Sequence, residues 1–148
     1  MNRSIILDAG PLGRIAHPRP NREIVLWLQH ILTARVEVII PEIADYEVRR
    51  NLILEGLNKS IERLDLLKES LVYLPLSTKI ILRAAELWAE ARKSGRPTAD
   101  PKELDGDAIL ASQALEVGAI IATENIGHLS RFVEAKHWRD ITPLDIES

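Results

Sequence analysis

Ser4-Ile5-Ile6-Leu7-Asp8-Ala9-Gly10-Pro11 is the stretch that decides the fold. Its three consecutive large aliphatic residues predict a short buried strand over residues 4–7, and the Asp-Ala-Gly-Pro that follows predicts a turn. A strand that is apolar throughout, without alternating polar residues, is covered on both faces, which is typical of a parallel sheet between helices. Asp8 then stands at the carboxyl end of this strand, where open parallel sheets place their sites.

The rest of the chain repeats this alternation of short apolar runs and segments with helical periodicity. No repeat or low-complexity segment divides the chain, so we expect one domain over residues 1–148 with an α/β fold, a three-layer α/β/α sandwich around a parallel sheet. Ser77 is predicted to cap a long helix, and residues 94–106, rich in proline and glycine, are predicted to be a loop. The other predicted elements are strands at 36–40, 71–76, 119–123 and, as an edge strand, 141–146, and helices at 22–33, 41–56, 60–70 and 107–117.

Composition excludes several classes of protein. The chain has 148 residues, of which 46% are hydrophobic and 28% charged, which is typical of a globular domain. The absence of cysteine excludes disulfides, thiolate zinc sites and thiol catalysis. No apolar run approaches the ~18 residues of a membrane span, and the start does not resemble a signal peptide, so we expect a cytoplasmic protein that does not enter membranes. The net charge of -3 argues against coating of nucleic acid but is compatible with a nucleic-acid enzyme.

Two acidic residues, one at the end of the first predicted strand and one on the predicted helix over residues 41–56, are candidates for chemistry. Asp8 is either a metal-binding carboxylate or a cap of the turn that follows it. On a helical wheel Glu47 lies among apolar positions, while Glu42, Asp45 and Arg49 occupy the opposite arc, which we expect to face solvent. An inward carboxylate is expected to bind a cation or to pair with a basic residue, here Arg50 one turn on.

Two further acidic positions lie late in the chain. Asp107 shares a helix face with Leu110 and Ala111 in what is predicted to be the first turn of the helix, where aspartate is either a cap or a ligand. Thr123-Glu124-Asn125 closes the predicted strand over residues 119–123, again at a carboxyl end. Acidic residues at several predicted strand ends and inward helix positions are harder to explain by capping than by a shared metal site.

These residues, taken in order, resemble the PIN-domain nucleases, and within them the toxins of the VapC type. The resemblance rests on Asp8 after an apolar strand and on three short motifs: Tyr46-Glu47-Val48-Arg49-Arg50, Asp107-Ala108-Ile109-Leu110-Ala111 and Ala122-Thr123-Glu124-Asn125. It implies a PIN-like sandwich, ribonuclease activity that depends on Mg²⁺ or Mn²⁺, a homodimer, and neutralisation by a small antitoxin.

Carried over by position, the resemblance assigns catalysis and metal binding to Asp8, Glu47 and Asp107. The fourth acidic position of the family falls on Asn125, with Glu124 one residue early and Asp105 as a further candidate. Such carboxylates suit phosphodiester hydrolysis, because a cation held by them activates water and offsets charge on the phosphate oxygens.

The predicted contacts with partners rest on weaker patterns. Arg14, Arg19 and Arg22 follow Asp8 in a segment that either receives the RNA backbone or is an ordinary solvated loop. The apolar patch of the expected homodimer is assigned to Leu52, Ile53, Leu64 and Leu67. The alternative to a nuclease is a PIN-like module that has lost catalysis and serves RNA binding or assembly.

Overall fold

A parallel sheet of five strands forms the centre of the molecule. The structure, a computed structural model, describes residues 3–94 and 101–146, with the side chains of residues 101–103 excepted. The strands are β1 (Ile5–Leu7), β2 (Val38–Pro41), β3 (Val72–Leu74), β4 (Ile120–Thr123) and β5 (Ala135–His137). Every strand pair is parallel, in the order β3-β2-β1-β4-β5, with Ile6 opposite Ile39 on one side and Ile121 on the other.

Helices cover both faces of this sheet. Successive side chains of a strand point to opposite faces, so Ile5 and Leu7 pack into one apolar cluster while Ile6 packs into a second. The first cluster includes residues of the helices over 9–16, 22–33 and 58–70, and the second includes residues of the helices over 101–117 and 126–129. The expected three-layer α/β/α sandwich is confirmed. The helices are α1 (Ala9–Ala16), α2 (Arg22–Thr33), α3 (Glu42–Leu54), α4 (Asn58–Ser70), α5 (Thr78–Lys93), α6 (Pro101–Val117), α7 (Ile126–Leu129) and α8 (Pro143–Ile146).

Most predicted elements are confirmed, and the cap of α5 is a clear case. Ser77 Oγ accepts a hydrogen bond from the backbone N–H of Ile80 at 3.2 Å, which satisfies one of the free donors at the helix start.

Within the described ranges, no helix is both long enough and apolar enough to cross a membrane.

Three predictions made at prolines are wrong, because each proline lies in the first turn of a helix. The predicted turn after Asp8 is helix α1, which begins at Ala9 and contains Pro11. The predicted loop over residues 94–106 becomes helix α6 at Pro101, while residues 95–100 lie outside the described ranges. The predicted edge strand over residues 141–146 contains helix α8 from Pro143, and the edge is β5 instead. Proline suits a first turn because its missing N–H would have no partner inside the helix there.

The predicted solvent-facing arc of α3 is also wrong at Asp45, which is only 5% exposed. Its carboxylate accepts a hydrogen bond from Arg49 Nε at 3.0 Å and from the Tyr73 hydroxyl at 3.0 Å, and Lys68 Nζ lies 3.2 Å away. Because Lys68 is on α4 and Tyr73 is on β3, this arc of α3 is covered by elements that follow it in the chain. Burial of the Asp45 carboxylate is offset by these basic partners and hydrogen bonds.

Candidate functional site

The site lies where the winding of the sheet reverses. Strands β1 and β4 are neighbours at the centre of the sheet, and the chain proceeds outward from them in opposite directions. In open parallel sheets the crevice beyond the carboxyl ends of such strands is the usual place for a ligand. Asp8 directly follows β1, and Thr123 is the last residue of β4, so both stand at this crevice.

A hydrogen bond joins these two strand ends. Asp8 Oδ2 accepts from the Thr123 hydroxyl at 2.7 Å, and Asp8 Oδ1 accepts from the backbone N–H of Ala9 at 2.7 Å. The Thr123 oxygen in turn accepts from the backbone N–H of Asn125 at 2.9 Å. Asp8 therefore caps α1, as one sequence interpretation proposed, but a carboxylate has about four acceptor positions, and the remaining two are available to a cation.

Burial raises the pKa of Asp8 above its ordinary value of 3.8, because desolvation disfavours the charged form. The hydrogen bonds from Thr123 and Ala9 act in the opposite direction and lower this pKa, while the charge of Glu124 raises it further. A half-buried carboxylate held by two donors in this way is fixed in position but costly to ionise in the absence of a cation.

Glu47 of α3 and Asp107 of α6 bring two more carboxylates to the same region. Burial is the main cause of a raised pKa at Glu47, and the negative charges of Asp8 and Asp107 raise it further. The positive charge of Arg50 lowers the pKa of Glu47. The Arg50 guanidinium lies over the ring of Tyr46, 5.2 Å from the centroid. The charges of the two aspartates thus both act on Glu47.

The position of Asp107 within its helix decides whether this residue is a helix cap. Because α6 begins at Pro101, Asp107 lies beyond the first turn, so the prediction of a first-turn position is wrong and a cap at this residue is excluded. Gly106 precedes it, and a β-carbon built on this glycine would meet Glu47 Oε2 at 3.2 Å. Helices α3 and α6 therefore approach closely at the two carboxylates.

The donor set has the chemistry of a site for a hard divalent cation. Within residues 3–94 and 101–146, no three His, Cys, Asp or Glu side chains stand close enough to ligate one ion together. Mg²⁺ needs only one or two direct carboxylates, because it keeps several of its waters. The charges of Asp8 and Asp107 both raise the pKa of Glu47, and carboxylate oxygens gathered in this way fit a hard divalent cation.

The remaining candidate ligands are placed differently. Glu124 accepts two hydrogen bonds from the Arg14 guanidinium, one of them from Nη2 at 2.9 Å, and a third from Trp138 Nε1 at 3.3 Å. Asn125 is exposed and precedes α7, and Asp105 is exposed on α6. The structure pairs Glu124 with Arg14, while the charge of Glu124 also raises the pKa of Asp8.

The basic residues named from the sequence separate into two groups. Arg14 and Arg19 line one open cavity of about 580 Å³, whereas Arg22 begins α2 and is not among the lining residues. The cavity borders the acidic site, because Gly10 lies two residues after Asp8 and Glu124 follows Thr123. Its lining consists of Gly10, Gly13, Arg14, His17, Arg19, Asn21 and Glu124.

Sequence reasoning missed Gln113, a fully buried residue that positions α3. Its Oε1 accepts from the backbone N–H of Ile43 at 3.3 Å, and its Nε2 donates to the carbonyl of Leu74 at 2.9 Å. Pro41 gives α3 no side-chain cap, so the amide from α6 satisfies a free donor one turn before Glu47. The signal was a glutamine inside an otherwise apolar helix face, where a buried amide needs partners.

Known proteins share this architecture. At 20% identity, VapBC2 from Rickettsia felis, solved bound to a DNA fragment from its promoter, aligns with a TM-score of 0.73 over 90% of this chain and 98% of its own. FitAcB from Neisseria gonorrhoeae aligns at 23% identity with a TM-score of 0.71, covering 93% and 99% of the two chains. VapBC-1 from nontypeable Haemophilus influenzae gives 19% identity, a TM-score of 0.65 and coverage of 92% and 98%. No match was found among curated proteins.

The family itself is shown by sequence. The model of the PIN domain matches residues 5–133, which include β1 through β4, all three acids of the site and the Thr123 that holds Asp8. A match over most of the chain agrees with the strand order and with the position of the site at the reversal of the winding. The chain belongs to the PIN domain family.

Proposed function

We propose that this protein is a divalent-metal-dependent endoribonuclease and the toxin component of a type II toxin–antitoxin pair. The observation that carries the proposal is that the charges of Asp8 and Asp107 both raise the pKa of Glu47 where the winding of the sheet reverses. Membership of the PIN domain family supports a nuclease, and the likeness to the VapBC and FitAcB structures supports a toxin of the VapC type.

In this proposal each carboxylate has a role that follows from its position. Asp8 and Asp107 hold Mg²⁺ or Mn²⁺, and Glu47 ligates through water or orients the attacking water. Asn125 binds a water or a phosphate oxygen without adding negative charge. The cation, when bound, supplies an activated water and offsets the charge that develops on the phosphate oxygens. A raised pKa makes Asp8 and Glu47 costly to ionise in the absence of a cation.

The RNA backbone follows the basic side of the site. Arg14 and Arg19 line the cavity next to Asp8, and Arg22 extends the positive charge to the start of α2. Guanidinium groups that contact phosphates fix the position of a strand without reading its sequence. The overall net charge of -3 is compatible with this arrangement, because the positive charge is needed only locally.

A small antitoxin and a second copy of the chain are the proposed protein partners. Leu64, assigned from the sequence to the dimer patch, is 0% exposed and belongs to the core, so that assignment is wrong for this residue. Leu52 and Leu67 are half-buried. The apolar surface proposed for dimerisation is therefore Ile53 and Leu54 at the end of α3 with Leu66 on α4, which are 62%, 84% and 62% exposed.

RNA cleavage with Mg²⁺, with Mn²⁺ and with a chelator tests the proposed reaction. We expect cleavage only with metal, and near-complete loss in each of Asp8→Asn, Glu47→Gln and Asp107→Asn, with strongly non-additive effects because the residues act as one unit. The control is Asp105→Asn, an exposed aspartate on the same helix as Asp107, which is expected to remain active. Cleavage that resists the chelator, or an active Asp8→Asn protein, contradicts the proposal. Binding of RNA without cleavage favours the non-catalytic alternative.

A further inference from the structure

A carboxylate occupies the basic cavity beside the acidic site. The Arg14 guanidinium on α1 donates through Nε and Nη2 to the two oxygens of Glu124, which lies one residue beyond β4. The indole N–H of Trp138 donates to the same carboxylate at 3.3 Å. Glu124 is thus held by an arginine 110 positions away in the chain and by a tryptophan behind it.

The surroundings of this ion pair suit a phosphate group. A planar guanidinium that binds two carboxylate oxygens binds two phosphate oxygens by the same geometry. Gly10 and Gly13 leave the α1 wall of the cavity without side chains, and the two arginines that line it, Arg14 and Arg19, are exposed. Among the lining residues Glu124 is the one acid, so it is the group that offsets their charge.

Resting on the function proposed above, we infer that this cavity is a subsite for the RNA backbone phosphate next to the reacting one. Until substrate binds, the Glu124 carboxylate occupies the place of this phosphate on the Arg14 guanidinium, and the phosphate then displaces the carboxylate. Position supports an adjacent phosphate, because the cavity begins at Gly10, two residues past Asp8, and ends at Glu124, next to Thr123. Glu124 therefore acts as a built-in competitor of the substrate.

The charge state of Glu124 is consistent with this role. The hydrogen bond from Arg14 is the main cause of a lowered pKa at this carboxyl, so it stays ionised at neutral pH and competes as an anion. Arg14 and Glu124 are partly exposed, with side-chain exposures of 49% and 28%, so an incoming phosphate can reach the pair.

A second ion pair of the same kind provides the matched control. Arg139 donates through Nε and Nη2 to the two oxygens of Glu23, at 2.8 and 3.0 Å, and both side chains are exposed. This pair lies outside the lining of the cavity. Glu23→Gln changes the net charge of the protein as Glu124→Gln does, so a comparison of the two separates local competition from a general gain in positive charge.

The test is the affinity for a short, fluorescently labelled RNA of mixed sequence, measured by anisotropy with chelator present so that no metal-dependent cleavage occurs. A mixed sequence suffices because phosphate contacts are independent of sequence. We expect Glu124→Gln to bind about two- to fivefold more tightly than wild type, the range for one exposed charge contact, and Arg14→Gln to bind more weakly by a similar factor. Glu23→Gln is expected to bind as wild type does. In an Arg14→Gln background, Glu124→Gln is expected to give no gain.

The other outcomes overturn either the phosphate subsite alone or the proposed function with it. An equal gain in Glu124→Gln and Glu23→Gln overturns the subsite, as does a gain that persists without Arg14. If wild type cleaves RNA with Mn²⁺ while Glu124→Gln leaves the affinity unchanged, the inference fails and the proposed function stands. If wild type neither binds nor cleaves RNA, the proposed function fails and the phosphate subsite fails with it.

Discussion

Glu47 and Gly106 face each other across the contact between α3 and α6, and a β-carbon on the glycine would stand 3.2 Å from Glu47 Oε2. Such a separation is tighter than ordinary van der Waals contact, so only a residue without a side chain leaves the carboxylate where it is. The glycine lies inside a helix, where it is less favourable than alanine by up to about 1 kcal/mol. Helix stability and the position of a candidate ligand therefore oppose each other at this residue.

Gly106→Ala is expected to separate these two effects. The variant should be as stable as wild type or more stable by up to about 1 kcal/mol in urea unfolding, while cleavage and Mn²⁺ affinity fall because the Glu47 carboxylate must move. Gly127→Ala in α7 is the control, since a β-carbon there meets nothing within 4 Å. A Gly106→Ala protein with full activity would show that Glu47 need not occupy its present position.

The pH dependence of stability tests the burial of Asp8. Its pKa is raised in the folded state, so the folded protein holds this proton more tightly than the unfolded chain does. The free energy of unfolding therefore falls as the pH rises from about the ordinary value of 3.8 through the folded-state pKa. Asp8→Asn lacks this loss, so in chelator it should gain stability relative to wild type over that pH window. A difference between the two proteins that does not change with pH contradicts the assignment.

Metal addition distinguishes a ligand from a cap at the same residue. Mn²⁺ is expected to raise the melting temperature of wild type, by a stabilisation of ~2.7 kcal/mol at a hundredfold excess over the dissociation constant if only the folded state binds. As a cap, asparagine is nearly equivalent to aspartate, so a pure cap predicts the same rise in Asp8→Asn. We expect a smaller rise in the variant. Equal gains in both proteins would remove Asp8 from the metal site.

Asp45 is expected to matter for stability and not for cleavage. Asp45→Ala removes the acceptor of Arg49 and Tyr73 and the partner of Lys68, and should cost about 1–3 kcal/mol in urea unfolding. The cost is moderated because Arg49 and Lys68 are partly exposed and regain water. Cleavage per folded molecule should stay within the range of wild type. Loss of cleavage in a fully folded variant would place Asp45 in the site.

Exposed apolar residues of α3 and α4 form the proposed dimer surface, whereas buried ones belong to the core. Ile53→Lys is expected to shift sedimentation toward monomer without loss of stability, because its side chain is 62% exposed. Leu64→Ala should instead destabilise the fold by about 2–5 kcal/mol, because it empties a fully buried position. A wild-type protein that sediments as a monomer at all concentrations contradicts the proposed dimer.

The sequence predicted what local pattern determines. Apolar runs such as Ile5-Ile6-Leu7 identify strands covered on both faces, and an acid directly after such a run marks a carboxyl end, so the position of Asp8 at the crevice followed from residues 5–8 alone. The cap at Ser77 is equally local.

Contacts between segments far apart in the sequence could not be predicted from local pattern. The burial of Asp45 depends on α4 and β3, which the helical wheel of α3 does not contain. The pairing of Arg14 with Glu124 joins residues 110 positions apart, and periodicity carries no information about such partners. By local pattern alone proline predicts loops, whereas Pro101 and Pro143 begin helices.

The central place of β1 has a consequence for synthesis. Ile5–Leu7 is synthesised well before one of its two neighbouring strands, β4, which begins only at Ile120, and the hydroxyl that holds Asp8 belongs to Thr123. Pairing of β1 with β2 needs nothing beyond Pro41, so a nascent chain can join these two strands while it lacks Asp107 and the far wall of the crevice. Under the proposed function, the centre that cuts RNA therefore stays incomplete until translation has passed Thr123.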